Sequence, residues 1–313
     1  MQSMTASESL FKSRIAPWLV FPVVMGAGLT SVYVLMQHGV PDTLAPVIVA
    51  LVAMIVIALL ERYLPYRENW NTNHGDVGTD VLHLFIAQLA IPNILKPLWV
   101  GLFVGTTAWL AQRYGSDVWP HHWPLLAQLF LMLLIAEFGR YWVHRAAHRV
   151  PALWRLHAVH HSPHRLYWLN AARFHPIEKV IFLIPEAVPF IILGTNVETL
   201  AMYGVFNSIH GLLQHSNIRL KGGWLNWVFS LTELHRWHHS EVVSESDNNF
   251  GNNLIVWDIV FGTYLNPSNR DIGDIGLLNK SYPQSYMQQL AAPFRSGDIS
   301  KPPGYTETQS LIR

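Results

Sequence analysis

Residues 124–161 read PLLAQLFLMLLIAEFGRYWVHRAAHRVPALWRLHAVHH. The first half, Pro124 to Val143, is apolar apart from a few residues and has about the ~20 positions an α-helix needs to cross hydrocarbon. That helix then runs straight into histidines. His144 and His148 stand four apart and share a helix face. Pro151 stops the helix and suits the first turn of the next one. On that next helix His157, His160 and His161 fall at i, i+3 and i+4, so three imidazoles converge. A membrane helix that delivers imidazoles to one end, followed by a short helix that delivers three more, sets the expected fold. It is an all-α integral membrane bundle of about four transmembrane helices with a cytoplasmic, histidine-rich helical cap.

Composition agrees with a chain built for lipid. Half of the 313 residues are apolar and only 13% are charged, against ~25% in soluble domains. A net charge of +1 without any basic block gives no reason to expect nucleic acid. The absence of cysteine removes disulfides, thiolate-bound zinc, thiolate haem, iron–sulfur clusters and thiol nucleophiles. Histidine, with 17 copies, is the one surplus.

Upstream, Pro17–Gln37 and Thr43–Leu60 are each long enough to span, joined tightly through Gly39, Pro41 and Asp42. Lys12 and Arg14 precede the first run but no small-residue cleavage site follows, so a retained helix is expected, not a secretory signal. After a polar link, Glu61–Asp80, comes an apolar region from Val81 to Gln112, interrupted by Pro92, Asn93, Lys96 and Pro97. It reads as one crossing plus an interfacial or broken piece, with two crossings as the alternative. Downstream, Val180–Gly194 and Leu200–Leu213 read as an apolar hairpin that dips into one leaflet. Trp18, Tyr63, Trp119, Trp123 and Trp142 close the runs, as interfacial aromatic belts do.

Orientation follows from charge. Arg145, Arg149, Arg155, Arg165 and Arg173 occur between His144 and Arg173 without an acid, which places that segment, and the active site, on the cytoplasmic side of a multi-pass protein. The expected organisation is an N-terminal transmembrane region (1–123), a catalytic domain (124–266) and an extended cytoplasmic tail (267–313).

A third histidine cluster, HRWHH, holds His235, His238 and His239. Ser230 and Glu233 precede it in capping-box spacing, predicting a helix over Leu231–His239. Imidazole is the commonest side-chain ligand for iron, copper and zinc. One HxxxH alone is usually an ordinary surface or core pair, but eight clustered imidazoles would repel one another on protonation. A pair of metal ions resolves that conflict, with His215 in QHSN as a ninth ligand. His210 lies five residues before His215, off its face. His164 and His175 follow the second cluster and could support ligands or do nothing. His83 reads as a satisfied core histidine, and His38, His74, His121 and His122 as loop residues. Glu137 and Arg140, at i and i+3, are expected to pair with each other, the alternative being that Glu137 holds a ligand imidazole. Asp247, Asn248 and Asn249 could support ligands or form a plain loop.

The order HxxxH, HxxHH, a lone His, then HxxHH resembles the fatty acid hydroxylase superfamily, in particular its sterol desaturase family and bacterial branch. The likeness covers roughly Leu131 to Leu265 and includes EFGRYWVHRAAH, the RFHP around His175, LLQHSN, LHRWHHS and DNNFGNNLIVWDIVFGTY. It implies metal ligands at His144, His148, His157, His160, His161, His215, His235, His238 and His239. It further implies two Fe ions and O2 as cofactors. The partners it implies are a lipid substrate, the membrane and an external electron donor, ferredoxin or cytochrome b5-like. The implied reaction is hydroxylation or desaturation of an unactivated C–H bond in a sterol, fatty acyl chain, ether lipid or aminolipid. No dinucleotide, flavin or haem-attachment motif is visible. Two other readings compete. A zinc-dependent membrane hydrolase would want a carboxylate base beside a cluster, as in HExxH. A metal transporter or sensor would spread its histidines along the membrane segments.

Overall fold

The computed structural model describes residues 11–115, 118–267 and 270–295. Among them the chain is all-helical, with no strand and only isolated bridges such as Pro65 to Ile218. Four segments are long and apolar enough to cross a membrane: α1 (Ala16–Gln37), α2 (Ala45–Tyr63), α3 (Val77–Tyr114) and α4 (Leu125–Arg149). A short α5 (Pro151–His161) follows, then the long α6 (Pro176–Leu193) and α7 (Val197–His215). The cap holds α8 (Thr232–His238) and α9 (Tyr286–Ala291).

Local sequence sets the ends of these helices. Pro151 occupies the first turn of α5, where a missing N–H costs nothing. The α6–α7 turn is compact: Gly194 closes α6 in the left-handed region at φ 70°, and the Asn196 side chain accepts from Thr199 N–H to start α7. α8 departs from expectation. Ser230 makes no cap; its hydroxyl accepts from Gln214, and Glu233 instead accepts from Gly222 N–H and the Asn226 amide. The carboxylate therefore pins the preceding loop, and α8 begins uncapped by any side chain.

The helices alternate direction. α1 starts at the histidine end, since Lys221, six residues past His215, donates from its backbone to the Pro17 carbonyl. α2 returns to that end, where Glu61 accepts from the backbone of Trp168 and Asn217. α3 leaves it: Asp80 near its start binds Arg173, and Thr107 near its finish donates to the Ile191 carbonyl at the far end of α6. Val77–Tyr114 is thus one continuous passage: the helix runs through residues 92–97, where the interruption was expected, and its one irregularity is a π-type segment just before them, at Leu84–Ala90. Its 38 residues are roughly 57 Å long, so its first turns lie within the cap.

α6 and α7 correct a second expectation. The hairpin does more than dip into one leaflet, because Asn196 and Thr199 at its tip both donate to Gln128, in the first turn of α4. The tip therefore lies level with the opposite end of the bundle from His144. Trp119 also donates to Gln128 and is buried, so it belongs to this polar knot instead of an aromatic belt. Trp18, Tyr63, Trp123 and Trp142 are exposed as belts require.

α7 runs through the middle of the bundle. Gly28 of α1 lets it approach, because a Cβ there would lie 2.2 Å from Ile209 Cδ1. Gly139 of α4 does the same for α6, with Pro185 Cβ at 2.5 Å. The outer helices turn apolar side chains outwards, with Leu59 65%, Leu98 62% and Leu102 69% exposed. Such faces suit lipid.

Residues 270–295 do not form an extended tail. Ile272 and Ile275 pack with Trp70, Leu166 and Trp237, while Leu277, Tyr282 and Ala292 pack on Ala158 and Val159 of α5. Gln289 donates to Ser162 and to the Pro283 carbonyl, locking α9 across the cap. The remainder of the expected tail lies outside the described residues.

Candidate metal centre

Helix geometry carries all nine singled-out histidines to one end of the bundle. There they form two groups whose ligand atoms lie within 4.8 Å of one another: His144, His148, His157, His161 and His238; and His160, His215, His235 and His239. Each HxxHH cluster is divided between the groups. Residues i and i+4 are rotated by about 40° on a helix, whereas i+3 points about 100° away from i+4. So His157 and His161 serve one group and His160 the other, while His235 and His239 pair and His238 crosses over.

The rings are held from behind. Nδ1 of His144 donates to the Phe250 carbonyl at 2.7 Å, and Nδ1 of His160 to the Arg173 carbonyl at 3.1 Å. His238 donates to the Asn248 carbonyl, and His215 to the Asn170 side-chain oxygen at 3.0 Å. Carboxylates take two more: Asp247 accepts from His148 at 3.1 Å, and Glu178 accepts from His157, whereas Nδ1 of His235 and of His239 is buried without a partner. A ring whose Nδ1 carries the proton has a bare lone pair at Nε2.

The Nε2 atoms face one another. His144 Nε2 lies 3.0 Å from His157 Nε2, which lies 3.1 Å from His161 Nε2. In the second group His235 Nε2 is 2.9 Å from His215 Nε2 and 3.0 Å from His239 Nε2. Two bare nitrogens at this separation repel, and no proton is available to bridge His144 and His157. Nitrogens bound at ~2.1 Å and at right angles around one ion lie about 3.0 Å apart. The buried Nε2 atoms of His148 and His238 also lack any hydrogen-bond partner. The donor set fits two metal ions, one per group.

Electrostatics point the same way. His157, His160, His161, His235, His238 and His239 are all pushed well below the usual imidazole pKa, first by burial and then by neighbouring charged groups. These rings are neutral at pH 7, the form that binds metal.

The other histidines take different roles. His210 lies outside both groups, buried edge-on to Phe21 and stacked on Phe206. His175 caps α6 by accepting from Ile177 N–H, and its other nitrogen donates to the Leu290 carbonyl. His164 is exposed and outside both groups. His83 is a satisfied core histidine, donating to the Phe174 carbonyl or Gln289.

Glu137 and Arg140 do not pair. Glu137 accepts the backbone N–H groups of Asn252 and Asn253, fixing the loop that presents Phe250. Arg140 reaches across to Glu186 of α6 at 2.7 Å and to Asn252. Sequence reasoning missed Glu178 and Asn170 behind the ligand rings. The only signal was their nearness to RFHP, with Glu178 two positions after Pro176. Asp247, left open by the sequence, sits on His148, whereas Asn249 braces the loop through Leu234 and Leu265 at φ 55°.

Beside both groups lies a cavity of about 30 Å³, lined by ligand rings and by Arg140, Phe174, Phe182, Gln214 and Asn252. It has room for one small molecule. Arg173, whose carbonyl holds His160, is itself paired with Asp80, which also accepts from Tyr167. Asp76 clamps Arg165 with both oxygens, so the start of α3 is tied to the loop after α5.

Residues 129–263 match the sequence profile described as fatty acid hydroxylase. The chain is 36% identical over 278 residues to an ornithine lipid hydroxylase of Rhizobium tropici, covering 88% of this chain and 83% of that one. It is 30% identical over 141 residues to an alkylglycerol monooxygenase of Xenopus tropicalis, covering 44% of this chain and 30% of the relative. The human alkylglycerol monooxygenase is 29% identical over 160 residues, 50% of this chain and 34% of its own length. No solved structure matches.

Proposed function

Because this chain belongs to the fatty acid hydroxylase family, we propose that it is a membrane-bound di-iron oxygenase that hydroxylates a C–H bond of a membrane lipid. The observation that carries this is the pair of buried histidine groups, each with its ligand nitrogens within 4.8 Å of one another, and in the first of them His144 and His157 set Nε2 to Nε2 at 3.0 Å with both Nδ1 atoms committed elsewhere. One iron is assigned to His144, His148, His157, His161 and His238, the other to His160, His215, His235 and His239. Neutral nitrogen ligands suit Fe(II). When bound, the pair supplies O2 activation, for the balance RH + O2 + 2 e− + 2 H+ → ROH + H2O. The electrons come from an external donor.

The protein's own part is orientation and exclusion. Phe250, Asp247, Glu178, Arg173, Asn170 and Asn248 each hold one ring at its Nδ1. Fixing the proton there keeps Nε2 free for metal. Phe174 and Phe182 wall the small cavity against bulk water. Glu178 and Asp247 each hold a ligand ring, and none of HRAAH, HAVHH and HRWHH carries the glutamate of HExxH. That argues against the zinc hydrolase reading, which needs a free base.

Charge distribution supports a cytoplasmic site. In the loops and terminal turns at the far end, the described residues include a single lysine or arginine, Arg113, whereas the histidine end carries arginines throughout. Ornithine lipid is the first substrate to test, given the relative covered over 83% of its length. Protein from iron-replete cells should contain two irons per chain in a nitrogen-rich Mössbauer environment, and should place one atom from 18O2 in the lipid product. Metal-free protein with unchanged activity, or a hydrolysed lipid, would end the reading.

A further inference from the structure

α8 is a wall with two sides. His235, His238 and His239 face the metal groups, while Arg236 and Trp237, rotated by about 100° and 200° from His235, line a groove on the opposite side. The groove is large, about 770 Å³, and polar. Arg67, Arg219, Lys221, Arg236 and Arg270 line it against two acids, Glu233 and Asp271. Glu233 is held in place by Gly222 and Asn226 and keeps its charge, and Arg270 pairs with Glu245 at 2.6 Å, which still leaves the cations in excess. The floor is rigid. Arg236 is buried, donates to the Ser216 and Ile218 carbonyls, and lies 3.8 Å over the Tyr66 ring. Arg270 covers Trp237 at 4.6 Å. Arg219 and Lys221 stand exposed on the rim.

We propose that this groove is the docking site for an acidic protein electron donor. The inference rests on the oxygenase reading, which needs two electrons per turnover from outside a chain without a visible redox motif. Three features favour this occupant. The groove lies at the histidine end, in the cap, where a soluble protein can reach it. Its charge complements an acidic partner, which gives on-rate and orientation. Its floor is built from the immediate sequence neighbours of three ligands, so a redox group seated there is separated from them by about one helix diameter, ~10–12 Å. Each docking event passes one electron from the reduced donor, which leaves oxidised; two events supply the balance written above.

The test uses the full metal-loaded chain in nanodiscs of zwitterionic lipid. Its probes are reduced plant-type [2Fe–2S] ferredoxin and soluble cytochrome b5, both acidic one-electron carriers. At least one should bind with affinity that falls as salt rises, and carbodiimide should cross-link its carboxylates to Lys221. The double variant Arg219→Glu/Lys221→Glu should bind about tenfold more weakly or worse at low salt, with iron content unchanged. Arg219→Gln/Lys221→Gln, a milder change, should fall between. Equal binding by wild type and both variants, or cross-links mapped to another face, overturns the proposal. So does a groove that instead changes affinity for phosphatidylglycerol nanodiscs while donor binding stays constant. Failure of the oxygenase reading is separately visible, as wild-type protein without iron or without an oxygenated product when dithionite supplies the electrons.

Discussion

His144 and His157 face each other Nε2 to Nε2 at 3.0 Å, while the Nδ1 of His144 is committed to the Phe250 carbonyl and that of His157 to the Glu178 carboxylate. Neither ring can turn its proton towards the other without abandoning a buried partner. The arrangement is stable only around a cation, so the groups behind the rings matter as much as the rings.

Glu178 gives the sharpest case. It is buried on α6, and its second oxygen has no hydrogen-bond partner. Removing it in Glu178→Ala frees His157 to rotate or change tautomer, and should weaken metal retention about 10–100-fold. Glu178→Gln keeps an acceptor without the charge and should lie between. Competition with a chelator, followed by elemental analysis, reads both. Wild-type retention in the alanine variant would show that Glu178 does not position the ligand.

Acid should act on the same rings. His157, His160, His161, His235, His238 and His239 are held well below the usual imidazole pKa by burial and then by neighbouring charges. In the unfolded chain they take up protons as pH falls through about 6.5; in the folded chain they do not. The unfolded state therefore binds more protons below that value, and stability declines as pH falls, while from these groups it is flat above about pH 7. Metal retention should follow the same direction, because ligands must be unprotonated. Melting of the detergent-solubilised protein from pH 8 to 5 tests this; a melting temperature that rises on acidification would contradict it.

His210 should be dispensable. Its two ring nitrogens are buried without partners in an aromatic setting of Phe21, Phe206 and Phe229. A buried polar group left unsatisfied costs about 1–3 kcal/mol, so His210→Phe should keep both metals and raise the melting temperature. His215→Phe, five residues on, should lose metal from the second group. Loss of iron in His210→Phe would place that residue in the centre after all.

The ligand rings were legible because helical spacing is local: an i, i+4 pair shares a face wherever the helix lies. Their division into two groups also follows from the 3.6-residue turn, although the sequence alone does not say which clusters meet. What sequence reading could not reach was long-range. Glu137 and Arg140 have the spacing of a pair, yet each is claimed by a partner distant in sequence, the Asn252–Asn253 backbone and Glu186. Ser230 and Glu233 have the spacing of a capping box, but tertiary bonds to Gln214 and Gly222 prevail. Residues 270–295 carry too few apolar residues to announce a core, though Ile272, Ile275 and Leu277 suffice once the cap offers them a surface.

The depth of the α6–α7 hairpin can be settled because the chain has no cysteine. Asn196 and Thr199 bond to Gln128 at the start of α4, so the tip lies level with the loop that joins α1 to α2. Neither helix is apolar enough over its length to count as a span by composition, since α6 carries Glu178, Lys179 and Glu186. Those charges face protein, not lipid: Glu186 pairs with Arg140, and all three are buried. A hairpin shielded in this way can cross hydrocarbon despite its charges. Single cysteines placed at Glu198, at Thr43 and at Lys221, all exposed positions, should sort by side in intact cells. A membrane-impermeant maleimide should label Glu198→Cys and Thr43→Cys from outside, and Lys221→Cys only after permeabilisation. If Glu198→Cys instead behaves like Lys221→Cys, the hairpin does not reach the outer surface and the bundle has four crossings, not six.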